Sequence, residues 1–160
     1  MAGVILLCGK ICSGKTTYAH KLQEEGRSVI LSCDELMLSL FPQGAGEHHD
    51  LLARRARDYQ FALSLQIIES GIGVILDWGF WTRAWRAEAR AFYQAHGVPC
   101  QLHYLDVSPE VWHTRIEARN RAVEAGLTKA YYVDAGLLKK LEGRFQAPET
   151  GEIDVMVHAE

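Results

Sequence analysis

Short apolar runs alternate along the chain with stretches in which apolar residues recur at helical spacing. The runs have the length of buried strands and cover residues 4–8, 29–32, 73–77, 99–106 and 154–158. The periodic stretches predict helices over 16–25, 35–41, 47–70 (one or two helices) and 82–96, then one opening at Ser108-Pro109 and one capped by Asp134. This alternation predicts a parallel sheet covered by helices on both faces.

The carboxyl ends of the predicted strands carry the candidate chemistry. In open parallel sheets, ligands bind beyond these ends. A loop starting at Gly9 follows the first run, Asp34 follows the second, and Asp77 ends the third. The sequence therefore predicts that these three features meet at one edge of the sheet.

Composition narrows the class of protein. The 160 residues are 48% apolar, which fits one globular domain over residues 1–160, and 17 basic against 20 acidic side chains give a net charge of −3. Proteins that coat nucleic acids or bind membrane surfaces usually have more basic than acidic residues, so both classes are disfavoured. Four cysteines without zinc spacing, and an opening apolar run too short to span a membrane, favour a reducing, cytoplasmic setting.

Residues 9–16 read Gly-Lys-Ile-Cys-Ser-Gly-Lys-Thr and match the phosphate-loop pattern G-x-x-x-x-G-K-[ST] without a mismatch. Its glycines let the backbone turn so that successive N–H groups face a phosphate. Lys15 can reach the β- and γ-phosphates of ATP, and the Thr16 hydroxyl can bind Mg²⁺. A strand before the motif and a helix after it favour this reading over a glycine-rich turn that binds nothing. The residues predicted to hold the nucleotide are Gly9, Lys10, Cys12, Ser13, Gly14, Lys15, Thr16 and Thr17.

Two aspartates follow neighbouring strands, and each has two interpretations. The Asp34 carboxylate is either a general base for an attacking hydroxyl or the N-cap of the helix over 35–41. Asp77 is either a Mg²⁺ ligand, usually acting through water, or a turn residue before Gly79. The position at the sheet edge favours the general-base interpretation of Asp34, whereas the two interpretations of Asp77 are equally well supported.

Arg115 and Arg119 lie four residues apart on a predicted helix and therefore share a face. Guanidinium groups that converge on a triphosphate would offset the charge of the transition state. A solvated helix face is the alternative. Because residues 122–132 lack clear periodicity, we predict a phosphate lid over approximately residues 115–133.

Aromatic residues follow both aspartates and suit the walls of a site for a small acceptor. Trp78 and Trp81 fit such walls and the core equally well, whereas Trp85 on a helix fits the core better. Three arginines on the helix over 47–70 either engage an anionic substrate or form an exposed face; they are Arg54, Arg55 and Arg57.

These motifs together resemble the small AAA-type P-loop kinases, a group that includes the zeta toxins, chloramphenicol phosphotransferase and the kinase domain of polynucleotide kinase. The resemblance covers nearly the whole chain and is strongest in the phosphate loop. It rests on residues 9–17, Cys33-Asp34, Leu76-Asp77 with Arg83 and Arg86 behind it, and Arg115-x-x-x-Arg119-Asn120-Arg121.

The resemblance implies a three-layer α/β/α P-loop fold with a five-stranded parallel sheet, ATP and Mg²⁺ as cofactors, and transfer of the γ-phosphate to a hydroxyl. It implies that Asp34 is the base, that the 115–119 segment is a lid, and that residues 144–148, including Pro148, border the adenine. Arg83 is assigned with Asp34, Trp78 and Trp81 to the acceptor side. Many relatives carry Asn, Ser or Thr soon after the third-strand aspartate, where this chain reads Trp78-Gly79-Phe80-Trp81.

The sequence thus predicts an ATP-dependent phosphotransferase for a hydroxyl of a small molecule or nucleotide-like acceptor. Two alternatives stay open: a polynucleotide 5′-hydroxyl kinase, which the net charge disfavours, and an ATP-binding regulatory module without an acceptor. The lack of an Asn-Lys-x-Asp motif weakly disfavours a GTPase. Both a monomer and a homodimer are compatible with the sequence.

Overall fold

The computed structural model describes residues 2–128 and 130–159. Five strands and six α-helices follow one another in the order that the apolar pattern predicts. The strands are β1 (Val4–Cys8), β2 (Ser28–Leu31), β3 (Gly73–Gly79), β4 (Cys100–Val107) and β5 (Val155–Ala159). The helices are α1 (Lys15–Glu25), α2 (Cys33–Leu40), α3 (His49–Glu69), α4 (Arg83–Ala95), α5 (Pro109–Glu124) and α6 (Ala135–Arg144).

All five strands are parallel and form one sheet in the order β2-β3-β1-β4-β5. Central strand β1 pairs on both sides, with Val4 opposite Val74 of β3 and opposite Cys100 of β4. The predicted α/β fold with a five-stranded parallel sheet is therefore confirmed. One boundary matters for the site: β3 continues to Gly79, so Asp77 lies inside the strand and not in a turn.

Alternate residues of β1 enter two different cores, as the pleat of a strand requires. Val4 and Leu6 pack in the core that also contains Phe61 of α3 and Tyr93 of α4. On the opposite face, Leu7 packs against α1. The sheet is therefore the middle layer of a three-layer α/β/α domain, and a smaller apolar cluster joins α5 to α6.

Short polar side chains start four of the helices. Thr82, Ser108 and Asp134 accept hydrogen bonds from backbone N–H groups in the first turns of α4, α5 and α6. At α2 the cap is Ser32, whose hydroxyl oxygen accepts from the Glu35 N–H at 3.2 Å. The N-cap interpretation of Asp34 is therefore wrong, because the helix begins at Cys33, two residues earlier than predicted, and Asp34 already lies within it.

A buried arginine ties the segment before β5 to the rest of the domain. The Arg86 side chain is 1% exposed, and its guanidinium donates to the backbone carbonyls of Phe80 (2.9 Å) and Gln146 (2.8 Å) and to the Glu152 carboxylate (2.9 Å). The hydrogen bond from Arg86 lowers the pKa of Glu152. The stabilisation from this pair is thus present above the ordinary pKa of a glutamate and is lost as the pH falls through the lowered value.

None of the helices in residues 2–128 and 130–159 is long and apolar enough to cross a membrane.

Replacing Arg86 by alanine should destabilise the domain strongly. The change leaves a carboxylate and two carbonyls without their buried donor, which costs about 3–5 kcal/mol in comparable buried pairs. Urea unfolding of Arg86→Ala against wild type measures this loss. Arg83→Ala is the matched control, because Arg83 pairs with Glu149 at the surface and such pairs contribute about 0–1 kcal/mol. Equal stability of the two variants would contradict the prediction.

Candidate active site

The loop between β1 and α1 turns tightly beside the end of β3. The Gly9 N–H donates to the Gly79 carbonyl at 3.0 Å, and a Cβ on Gly9 would lie 2.6 Å from the Ser13 hydroxyl oxygen. Gly14 and Cys12 both adopt positive φ, at 95° and 58°. Only a glycine fits at position 9, and the backbone curves as the phosphate-loop motif predicts.

Lys15 closes this loop from the inside. Its ammonium donates to the carbonyls of Gly9 (3.1 Å) and Lys10 (2.8 Å). Burial lowers the pKa of Lys15, and the nearby carboxylates of Asp77 and Asp34 act in the opposite direction. Among the described residues, the buried hydroxyl oxygen of Ser13 is one of three buried side-chain atoms without a hydrogen-bond partner. A buried hydroxyl without a partner, next to an ammonium and turned backbone amides, fits a phosphate group.

The two predicted Mg²⁺ ligands lie in contact. The Thr16 hydroxyl at the start of α1 donates to the Asp77 carboxylate at 2.9 Å. Asp77 is buried and Thr16 is exposed toward the site, so a cation between loop and strand would find one hydroxyl and one carboxylate oxygen. Mg²⁺ is commonly held by one or two carboxylates together with phosphate oxygens, so these residues fit that ion.

Asp34 lies in the first turn of α2, with its carboxylate open to solvent but surrounded by protein on several sides. This partial burial raises the pKa of Asp34, which the positive charge of Lys15 counteracts; Asp77 raises it further. The strand pairing gives the same placement: β2 ends at Leu31, which pairs with Leu76 of β3, so α2 starts beside Asp77. Asp77 in turn accepts a hydrogen bond from Thr16, the residue after Lys15. Asp34, Lys15 and Asp77 thus meet at one edge of the sheet, as the strand pattern predicts.

Both predicted lid arginines reach the phosphate loop from α5. Arg115 donates to the Ser13 carbonyl at 2.9 Å, and Arg119 contacts the Cys12 thiol at 3.5 Å. Asn120 exchanges two hydrogen bonds with the backbone of Val133, which folds the following segment back onto α5. Lys129 of the predicted lid lies outside the described residues. The role of these residues as a lid stays a prediction.

The aromatic residues predicted to line the acceptor site occupy different places. The Trp78 indole donates to Gln60 of α3 at 2.8 Å and stacks on Phe80, so it is partly a core residue. Trp81 stacks on Trp85 with 6.4 Å between ring centroids.

Two further predicted residues lie on the α4 side of the site. Arg83 pairs with Glu149, and no contact in the described residues joins it to Asp34. Pro148 is half-buried in the segment between α6 and β5, which hydrogen bonds attach to the start of α4. Neither placement tests the predicted roles of these two residues.

Sequence reasoning did not identify two residues beside Asp34. Burial raises the pKa of Asp34, and the charge of His49, the first residue of α3, is a small opposing effect. The Tyr131 ring packs edge-on against the His49 ring, with 6.4 Å between centroids, and the charge of Asp34 contributes to the raised pKa of Tyr131. No local pattern marks either residue, because three segments distant in sequence form this part of the site.

Comparison with known proteins agrees with this geometry. A profile of the AAA domain family, AAA_33, matches residues 4–148. No curated protein sequence gives a significant match. Solved structures share the fold. A protein of Chloroflexus aurantiacus gives a TM-score of 0.74 at 16% identity, and the alignment covers 99% of this chain and 87% of that protein.

Two further solved structures have named activities. The APS kinase CysC of Mycobacterium tuberculosis, in complex with AMPPNP and APS, gives a TM-score of 0.67 at 18% identity and covers 99% of this chain and 89% of its own. A gluconokinase of Sinorhizobium meliloti gives a TM-score of 0.63 at 16% identity, and the alignment covers 98% of this chain and 82% of the gluconokinase. At these sequence identities the solved structures show only that the fold is shared. The family profile, by contrast, matches most of the chain and includes the phosphate loop, so the chain belongs to the AAA domain family.

Proposed function

We propose that this protein is an ATP-dependent phosphotransferase that moves the γ-phosphate of ATP to a hydroxyl of a small molecule or nucleotide-like acceptor. The observation that carries the proposal is the position of Asp34 directly after β2, at the sheet edge that also carries Lys15 and the Thr16–Asp77 pair. The similar folds of an APS kinase, solved with AMPPNP and APS, and of a gluconokinase support transfer of this general kind.

The phosphate loop would bind the triphosphate through its backbone amides, the Ser13 hydroxyl and the Lys15 ammonium. Lys15 is already directed into the loop, where it bonds two carbonyls that phosphate oxygens would replace. Thr16 and Asp77 would hold Mg²⁺, which supplies charge neutralisation between the β- and γ-phosphates when bound. This binding would leave the γ-phosphoryl group facing Asp34.

Asp34 would accept the proton of the acceptor hydroxyl as the hydroxyl oxygen attacks the γ-phosphorus, and the bond from that phosphorus to the β,γ-bridging oxygen would break to release ADP. Ionised Asp34 also orients that hydroxyl, so positioning and proton transfer come from the same carboxylate. Arg115 and Arg119, already in contact with the loop, would stabilise the charge that spreads over the γ-phosphoryl oxygens. Closure of the 115–133 segment would exclude water and favour the acceptor over hydrolysis.

An ATP-binding regulatory module is the main rival. It needs the phosphate loop but no carboxylate opposite the γ-phosphate. Because Ser32 caps α2 and Glu35 also places a carboxylate in the first turn, the helix does not depend on Asp34 for its start. The position of Asp34 in the site is thus better explained by an acceptor than by local structure.

Asp34→Asn should retain ATP binding and lose phosphate transfer by about 100-fold or more, since proton transfer by a positioned group contributes that much. The measurement is transfer of labelled γ-phosphate to a panel of nucleosides, sugars, sugar acids, amino alcohols and 5′-hydroxyl oligonucleotides. A product formed by wild type and not by Asp34→Asn identifies the acceptor class. Equal transfer by both proteins would exclude Asp34 as the base, and ATP binding without any product would favour the regulatory module.

Lys15→Ala should weaken ATP binding by about 10- to 100-fold, because a charge-assisted hydrogen bond contributes about 1.5–3 kcal/mol. Calorimetric titration with Mg·AMPPNP measures the affinity. Lys21→Ala is the matched control, since Lys21 is exposed on the same helix. Unchanged affinity and unchanged turnover in Lys15→Ala would refute the assignment of the phosphate loop.

The pH dependence of transfer should report Asp34. Burial raises the pKa of Asp34 in the folded protein, and only the ionised carboxylate can accept a proton. The value of kcat/KM for the acceptor should therefore fall with decreasing pH along a limb whose midpoint lies above the ordinary pKa of an aspartate. A pH–rate profile at saturating ATP measures the midpoint. A limb at or below the ordinary value would show that Asp34 does not govern the rate.

A further inference from the structure

A shallow cleft between α3 and α4 lies next to the proposed site. It is narrow, with room for about one water molecule, and it opens to solvent. Trp78, the residue after Asp77, lines the cleft, together with Phe80 and Trp85. Arg54 and Arg57 of α3 line its other side, with Asp58 and Glu88. The cleft therefore combines an aromatic wall with two guanidinium groups.

The two arginines differ in how their charges are used. Arg54 donates to Asp58 at 3.3 Å and to Glu88 at 2.7 Å, so both carboxylates of the cleft already have a partner. Arg57 instead lies over the Trp85 ring, with 4.4 Å from its central carbon to the ring centroid. No carboxylate in residues 2–128 and 130–159 lies within ion-pair distance of Arg57.

The guanidinium of Arg57 lies against the Trp85 ring, which does not neutralise its charge, and it also interacts with the buried Cys33 thiol next to Asp34. A guanidinium that stacks on an aromatic face keeps its N–H groups in the plane, where they point away from the ring. That planar set of donors matches the two oxygens of a carboxylate, phosphate or sulfate group. Arg57 is half-buried, so it is less mobile than a surface arginine such as Arg55.

Arg57 also lies on the same side of the sheet edge as Asp34. One helical turn before it, the Ala53 carbonyl accepts from the Cys33 thiol at 3.6 Å, and helical side chains lean toward that preceding turn. One turn after it, Gln60 bonds the Ser32 carbonyl at 3.1 Å and the Trp78 indole. Arg57 is thus held between contacts to Ser32 and Cys33, the two residues that precede Asp34.

We propose that Arg57, positioned by Trp85, binds an anionic group of the acceptor whose hydroxyl is phosphorylated beside Asp34. This inference rests on the proposed function and specifies its substrate class. The acceptor is a small hydroxylated compound with a carboxylate, phosphate or sulfate at one end, of the size of a hydroxy acid or a sugar acid.

Binding of an anion at Arg57 can be observed without knowing the acceptor. The full chain is labelled with 5-fluorotryptophan, which gives one ¹⁹F signal for each of its four tryptophans, and Trp85→Phe assigns the Trp85 signal. Mg·AMPPNP first saturates the phosphate loop. Millimolar sulfate and gluconate should then shift the Trp85 signal saturably, whereas sorbitol, the neutral analogue of gluconate, should not.

Two arginine variants decide whether that shift comes from Arg57. Arg57→Gln should abolish it, and Arg55→Gln, an exposed change on the same helix, should retain it. The absence of a saturable Trp85 shift in wild type, or its persistence in Arg57→Gln, would overturn the proposal. AMPPNP binding is followed by thermal shift on the same samples, so failure of the phosphate loop is recorded separately from failure of the Arg57 subsite.

The transfer reaction gives the second test. Acceptors are compared in pairs that differ in one anionic group: glycerate and glycerol, gluconate and sorbitol, glycerol 3-phosphate and glycerol. The anionic member should be preferred in kcat/KM, and Arg57→Gln should raise its KM about 10- to 100-fold while kcat changes little, since a charge-assisted bond remote from the transferred group is lost. Preference for the neutral member would overturn the Arg57 subsite and leave the phosphotransferase itself intact.

Discussion

The pairing of β1 with β3 is the constraint on which the site depends. It aligns Val4 with Val74 and carries both strands to the same edge, where the Gly9 N–H bonds the Gly79 carbonyl. Because the phosphate loop starts at the end of β1 and Asp77 lies in β3, this register brings the Thr16 hydroxyl to 2.9 Å from the Asp77 carboxylate. A shift of the register by one residue would turn Asp77 to the other face of the sheet and separate the two.

Much of this arrangement is encoded locally, and sequence patterns predicted that part. The strands are apolar runs, the phosphate loop is a contiguous motif, and parallel strands direct their ends to one edge. Such rules need no knowledge of which helix packs where. They placed Asp34, Asp77 and the Gly9 loop together, and they correctly located the caps of α5 and α6.

What the sequence could not show depends on long-range packing. Ser32 rather than Asp34 caps α2, since the choice between these two polar residues, which Cys33 separates, depends on where β2 ends. The packing of His49 against Tyr131, and of Arg57 over Trp85, arises from contacts between segments far apart in the chain. Three arginines on α3 look alike in the sequence. Only the fold shows that Arg54 pairs with Asp58 and Glu88, whereas Arg57 lies over Trp85.

The bonds from Lys15 to the carbonyls of its own loop bear on which ligands the loop accepts. A lysine that is already held gives up little rotational freedom on binding, which for a free lysine costs up to about 2 kcal/mol. The same bonds must, however, be replaced by the ligand. A weakly charged group offers no better partner than two carbonyls, whereas phosphate oxygens do. The loop thus selects ligands with strongly negative groups, whatever the rest of the ligand is. Sugars or free nucleosides present in excess would therefore compete poorly with a phosphorylated ligand for the loop.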